Sequence, residues 1–300
     1  MPHTADHTGR RRTWLAAGAL AMLVLTGAGC AKPGTAASRE APAPALLRTA
    51  DLSLPLDAYQ ASTAEVSVLA SGYRALLHRC MARYGFDFPP PAGPGAAGPR
   101  TRNERRYGLT DPAAAASRGY RYGNGDRPTE PARPARVALA PAEQAALTGQ
   151  GGTKTAGKPG PTGGCADVAS RALSARSPAG ANTDLPQVLS AQSLTQSRQD
   201  PRVQAVTRQW AACMKARGYR YATPFEPAGD PRFRGPLTAA ETATAKADVA
   251  CKQQTNLVGV WFAVESALQR TLIDRDATAL DLAVQATKAQ LAAARAALHS

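Results

Sequence analysis

The sequence predicts a mostly α protein made of two disulfide-stapled helical units, with long Pro/Gly-rich loops and a long C-terminal amphipathic helix. Three observations carry this. A twelve-residue pattern ending a helical run occurs twice, each half of the chain owns two cysteines beyond the first thirty residues, and apolar residues recur at steps of three and four. No alternating run argues for a sheet.

The repeated pattern is Cys80, Met81, Gly85, Phe86, Phe88 and Pro91 in one copy, and Cys213, Met214, Gly218, Tyr219, Tyr221 and Pro224 in the other, at identical spacing. It reads as a duplicated structural unit. Of 300 residues 44% are hydrophobic but only 5% aromatic, while Gly and Pro number 26 and 24, so the compact part must be shorter than the chain. A net charge of +14 would suit nucleic acid. The N-terminus points elsewhere.

Arg10, Arg11 and Arg12 precede an apolar run over 14–25, too short for the ~20 residues that span a bilayer, and Thr26, Gly27, Ala28 and Gly29 lead into Cys30. Basic head, short apolar core and small-residue exit make an export signal. The exit resembles a bacterial lipobox, with Gly27 where Leu is commonest. That resemblance implies cleavage before Cys30 and a diacylglyceryl group, with palmitate-type acyl chains, on its sulfur; two chains hold a protein stably on a membrane. The run Arg11, Arg12, Thr13, Trp14, Leu15 loosely resembles a twin-arginine signal, but a cargo that needs disulfides favours export unfolded. The expected organisation is a lipoprotein signal peptide at 1–29, a flexible Ala/Pro-rich tether at 30–52, a first helical unit with a long irregular loop at 53–197, and a second unit at 198–300.

Val66, Leu69, Tyr73, Leu76, Cys80 and Tyr84 form one expected buried face, stopped at Gly85. Residues 89–107 pile up Pro, Gly and Arg and read as exposed loop. Short helices follow at 111–117 and from Pro141 to about 149; 150–164 reads as loop, and Cys165, Val168, Ala169 and Leu173 restart a helical face. In the second unit Asp200 and Pro201 start a helix with the stripe Val203, Val206, Trp210, Cys213 and Met214, and Thr238 with Glu241 is spaced as a capping box. Leu257, Val258, Trp261, Val264, Leu268 and Leu272 carry a long helix. Its stripe shifts phase over 273–277, predicting a kink, before the coiled-coil-like seam of Leu280, Val284, Thr287, Leu291, Ala294 and Leu298. A continuous seam of that kind is a candidate docking face for an envelope protein.

Setting Cys30 aside, four thiols permit three pairings, and the duplication selects Cys80 with Cys165 and Cys213 with Cys251. No close Cys pair suits zinc or thiol exchange, so neither a metal nor a cofactor is expected. No catalytic constellation emerges. Only His78 and His299 survive cleavage, no Gly-x-Ser-x-Gly elbow is present, and the glycines of 159–164 lack the Lys and Ser/Thr of a phosphate loop. Asp248 and Glu265 are the best carboxylates for a hydrolase, though stripe-edge acids more often pair with Arg. The pentapeptide Arg118, Gly119, Tyr120, Arg121, Tyr122 recurs as Arg217, Gly218, Tyr219, Arg220, Tyr221. Arg118, Tyr120, Tyr122, Arg217, Tyr219 and Tyr221 thereby form a candidate ligand or partner surface, with packing of the aromatics over the disulfides as the simpler account.

Lipobox, tether and helix ends reading Cys-Met-x-x-x-Gly-aromatic together resemble Streptomyces-like secreted lipoproteins of high-GC actinobacteria, over Cys30, 80–91, 107–122 and 213–261. The resemblance implies an outer-face, lipid-anchored location and carries over no activity. The functional expectation is therefore an extracytoplasmic binding or accessory protein of the cell envelope. Its partner would be an envelope protein or an anionic cell-wall polymer rather than nucleic acid. A receptor for a small or anionic ligand between the two halves comes second, and an envelope hydrolase third.

Overall fold

The computed structural model describes residues 43–88, 101–122, 139–150, 154–155 and 158–299. The expected signal peptide, the acylated Cys30 and the first part of the tether lie outside the described residues.

Helices dominate, as the periodicity requires. Helix α1 (Thr63–Arg83) opens on a complete capping box, Ser62 Oγ accepting from the Glu65 amide while the Glu65 carboxylate accepts from the Ser62 amide. The short α2 (Pro112–Arg118) is capped by Asp111, and α3 (Pro141–Thr148) closes on a left-handed Gly149. Lys154–Thr155 and Lys158–Pro159 form a two-residue antiparallel pair within the stretch expected to be loop. Then come α4 (Gly164–Ser174), α5 (Leu185–Ser197), α6 (Pro201–Ala216), α7 (Ala239–Thr255) and α8 (Leu257–His299). Asp276, at φ −109° and ψ 18°, breaks the helical geometry of α8 inside the segment where the stripe changes phase.

The duplication is real at the level of hydrogen bonds. At the end of α1 the Phe86 amide reaches back to the Met81 carbonyl (3.2 Å), and at the end of α6 the Tyr219 amide reaches the Met214 carbonyl (2.9 Å). Gly85 (φ 82°) and Gly218 (φ 89°) adopt the left-handed conformation that this cap needs. Both disulfides have the predicted partners, Cys80 with Cys165 and Cys213 with Cys251. Phe86 and Phe88 pack in the cluster around the first bridge, Tyr219 and Tyr221 in the cluster around the second.

The two halves nevertheless share one core, and 43–299 forms one compact body. Helix α1 packs on α4 and on α8, α5 packs on α8, and α2 packs on α7, so the boundary expected at 197/198 runs through packed helices. The last part of the expected tether, 43–52, packs on the body. By Thr49 the chain is buried, with Thr49 Oγ1 bonded to the Glu104 carbonyl at 2.6 Å, and Leu54 and Leu56 enter the core. The seam of α8 is internal rather than a docking face: Leu280, Leu291 and Ala294 are buried under the protein's own helices, and only Leu298 is exposed. Two expected local features are modified. On α1 Tyr73, Leu76, Cys80 and Tyr84 pack in the core as expected, but Val66 is exposed. Beside that face α1 meets α8 at Gly72, where a Cβ would lie 2.5 Å from the Cα of Ala294, so only the smallest residue fits. At the start of α7, Thr238 caps the Glu241 amide, but the Glu241 carboxylate turns away to the Tyr120 amide and the Arg121 guanidinium. A tertiary partner outcompetes the local box.

Candidate functional site

The two carboxylates singled out for chemistry are both fully buried, and each is saturated by internal donors. Glu265, on the first limb of α8, accepts from the guanidinium of Arg106, the hydroxyl of Tyr107 (2.8 Å) and the hydroxyl of Ser193 (2.8 Å). Gln269, one turn on, donates to Ser193 Oγ and accepts from the Leu56 amide (2.9 Å), while Arg106 also donates to the Ser190 carbonyl. Burial, reinforced by the Glu265 charge, pushes the Tyr107 phenol far above its usual range, so it stays protonated and donates. Asp248, on α7, accepts from the Trp210 indole (2.9 Å) and from Lys252 (3.0 Å), and Lys252 also donates to the Leu109 carbonyl (2.8 Å). Desolvation pushes Asp248 up and Lys252 down, each opposed by the other's charge. A substrate could reach either acid only by displacing these partners. The arrangement tethers the 101–110 segment, α5 and α6 to α7 and α8.

That segment was expected to be exposed, being rich in Arg. Tyr107 is instead 0% exposed and stacks on Trp261 with ring centres 5.1 Å apart. Arg102 stays exposed, whereas Arg105 and Arg106 are half-buried and each finds a partner: Arg106 at Glu265, and Arg105 over the Tyr122 ring and at the Arg121 carbonyl. Gly108 (φ 82°) lets the chain pass, since a Cβ there would lie 2.8 Å from both Lys252 Nζ and the Pro224 carbonyl oxygen.

The six residues of the proposed Arg/Tyr surface do not form one face. Tyr120 is buried and stacks on Phe233 at 6.0 Å, whereas Tyr122 is exposed. Arg118 turns to Glu104 at 4.0 Å. Tyr219 is half-buried against the core around Trp210, and Arg217 lies exposed at the end of α6. Tyr221 donates to Asp230 Oδ2 (2.6 Å) and receives Arg232; burial and the Asp230 hydrogen bond push its phenol up to about 12, and Arg232 with Tyr221 holds Asp230 well below the usual carboxylate range. The Tyr221 phenol helps keep the Tyr120 phenol protonated, behind burial and Asp248. His78 is half-exposed, 3.6 Å from Asp87.

A solvent-open groove of about 680 Å³ lies between α1, α4 and the second limb of α8. Its floor is largely alanine, with Leu76 and Val168, and the first disulfide contributes Cys80. Arg79, Arg83 and Arg176 stand on its walls, and none of its described lining residues is acidic. Arg79 also donates to the Ala297 carbonyl (2.9 Å) near the end of α8. Sequence pattern could not locate this groove, because it needs three helices from both halves to enclose it.

No protein-family model, curated protein or solved structure matches the chain. Among the described residues no group of three or more His, Cys, Asp or Glu could hold a metal ion, and no helix is long and apolar enough to cross a membrane.

Proposed function

We propose that this chain is an exported lipoprotein, acylated on Cys30 at the outer face of the cytoplasmic membrane, that acts as a binding or accessory protein of the cell envelope. The groove between α1, α4 and α8 is where it receives an acidic helical segment of an envelope protein. The observation that carries this reading is the lining of that groove, apolar and alanine-rich below and guanidinium-bearing at the sides. An alanine floor lets a helix backbone come close, and the arginines select a helix with Asp or Glu along its flanks. Two disulfides in a chain that opens on an export signal support an oxidising location.

The anchor is tested by metabolic labelling with palmitate, which should mark the wild-type chain and not Cys30→Ala. The groove is tested with the mature protein and two synthetic helices, one alanine-faced with glutamate flanks and the other with lysine flanks. The acidic helix should bind, weaken as salt rises, and be lost on Ala292→Trp, which fills the groove from an exposed position. Equal binding of both helices, or binding indifferent to Ala292→Trp, refutes the groove. Salt-sensitive retention on purified anionic wall polymer that ignores Ala292→Trp would move the reading to the polymer.

A further inference from the structure

A second recess, separate from that groove, sits where the start of α6 meets the segment carrying Thr223, Pro224 and Phe225. It encloses about 420 Å³, a volume suited to a small organic molecule. Its floor is apolar and preformed: Val203 and Trp261 are 1% and 2% exposed, and Pro224 is buried. Trp261 cannot swing away, because Tyr107 stacks on it, Phe225 meets it edge-on at 5.8 Å, and its indole N–H is tied to Ser197 Oγ at 2.7 Å. Phe225 is half-buried and forms a wall. At the rim stand Arg198 and Arg208, with the hydroxyls of Thr207 and Thr223, and no acidic residue is among its described lining.

The position of Arg198 gives the recess a preference. Its guanidinium lies 4.5 Å from the centre of the Phe225 ring, a cation–π contact that holds a positive charge at the edge of an apolar cavity. A cation held in place before binding loses less side-chain freedom when an anion arrives. Arg208, one turn along α6 from Gln204, adds a second positive charge on the same rim. Asp200 is engaged by Arg202, and the Glu226 carboxylate accepts from the Ala222 amide and from the rim hydroxyl of Thr223, so an anion would sit on the side of the rim away from it.

We propose that this recess binds a small molecule bearing a carboxylate or phosphate on a ring-containing apolar body, with Arg198 and Arg208 holding the anion and Phe225, Pro224 and Val203 taking the body. The protein would thus carry a small-ligand site distinct from its partner groove.

The test uses the full mature chain and three probes: benzoate, phenyl phosphate and the uncharged benzamide. The readout is the indole N–H resonance of Trp261, told apart from that of Trp210 by its through-space contact with Tyr107. Benzoate and phenyl phosphate should shift the Trp261 signal saturably and leave Trp210 unmoved, while benzamide at the same concentration should not. Replacing Arg198→Ala and Arg208→Ala together should raise Kd about tenfold or more, as expected for losing charge-assisted hydrogen bonds. Should that pair disturb the fold, Arg208→Gln alone, on an exposed side chain, should still weaken both anions about threefold or more. The proposal is overturned if neither anion shifts Trp261, if benzamide binds as well as benzoate, or if a folded arginine variant keeps wild-type affinity.

Discussion

Removing the Glu265 carboxylate is the sharpest probe of how this protein is held together. In Glu265→Ala the guanidinium of Arg106, whose side chain is 12% exposed, keeps its charge inside the protein with no counterion. The Tyr107 and Ser193 hydroxyls lose their acceptor at the same time. Breaking a buried ion pair from one side costs about 3–5 kcal/mol. With a urea slope of about 2–3 kcal/mol/M, the unfolding midpoint should fall by about 1–2.5 M at unchanged slope. Glu265→Leu with Arg106→Met removes both charges, and should recover at least half of the loss, because a buried ion pair exchanged for apolar side chains is often close to neutral. The measurement is urea unfolding followed by circular dichroism under non-reducing conditions. A Glu265→Ala protein within about 1 kcal/mol of wild type would refute the claim that this carboxylate organises the core, and would return it to consideration as a reactive group.

Gly72→Ala should lower thermal stability by about 1–2 kcal/mol, since overpacking against the backbone of Ala294 outweighs the ~1 kcal/mol gained in helix propensity; a rise in Tm would contradict the contact between α1 and α8. Replacing Cys80 and Cys165 by Ser should cost up to about 4.5 kcal/mol, and Cys213 with Cys251 up to about 4, given sequence separations of 85 and 38; denaturant unfolding of each pair of variants, and a non-reducing peptide map, check both size and pairing. The Asp230 carboxyl has a depressed pKa in the folded protein, so its stabilisation is present above its unfolded value near 4 and is lost as pH falls through the folded one. Asp230→Asn should therefore lose that stabilisation at pH 7, where it is fully present, and converge on wild type as pH falls below about 4, flattening the acid limb.

Features set within a few residues were legible in the chain itself. Helix starts at Asp111, Asp200 and Thr238 follow from side chains that can cap, and the stops at Gly85 and Gly218 from the one residue that turns left-handed without strain; the cap at Ser62 emerged only in the structure. The kink at Asp276 was visible as a phase shift in the stripe, and the bridges followed from the duplicated motif. Helix α5 was not visible. Its inward face mixes Leu189 with Ser190, Ser193 and Ser197, where the Ser190 carbonyl accepts from Arg106 and the Ser193 and Ser197 hydroxyls bond to Glu265 and Trp261, and these serines interrupt the hydrophobic period.

By itself, then, the sequence determined the local conformation, the helical class and the pairing of the cysteines, because capping, periodicity and duplication act over short distances along the chain. The tertiary structure alone decided which residues meet across it. Arg106 finds Glu265 at a separation of 159 residues, Gly72 admits Ala294, and three helices from both halves enclose the basic groove. Such meetings depend on where whole helices cross, and a buried charge declares its partner only when the two are already in contact.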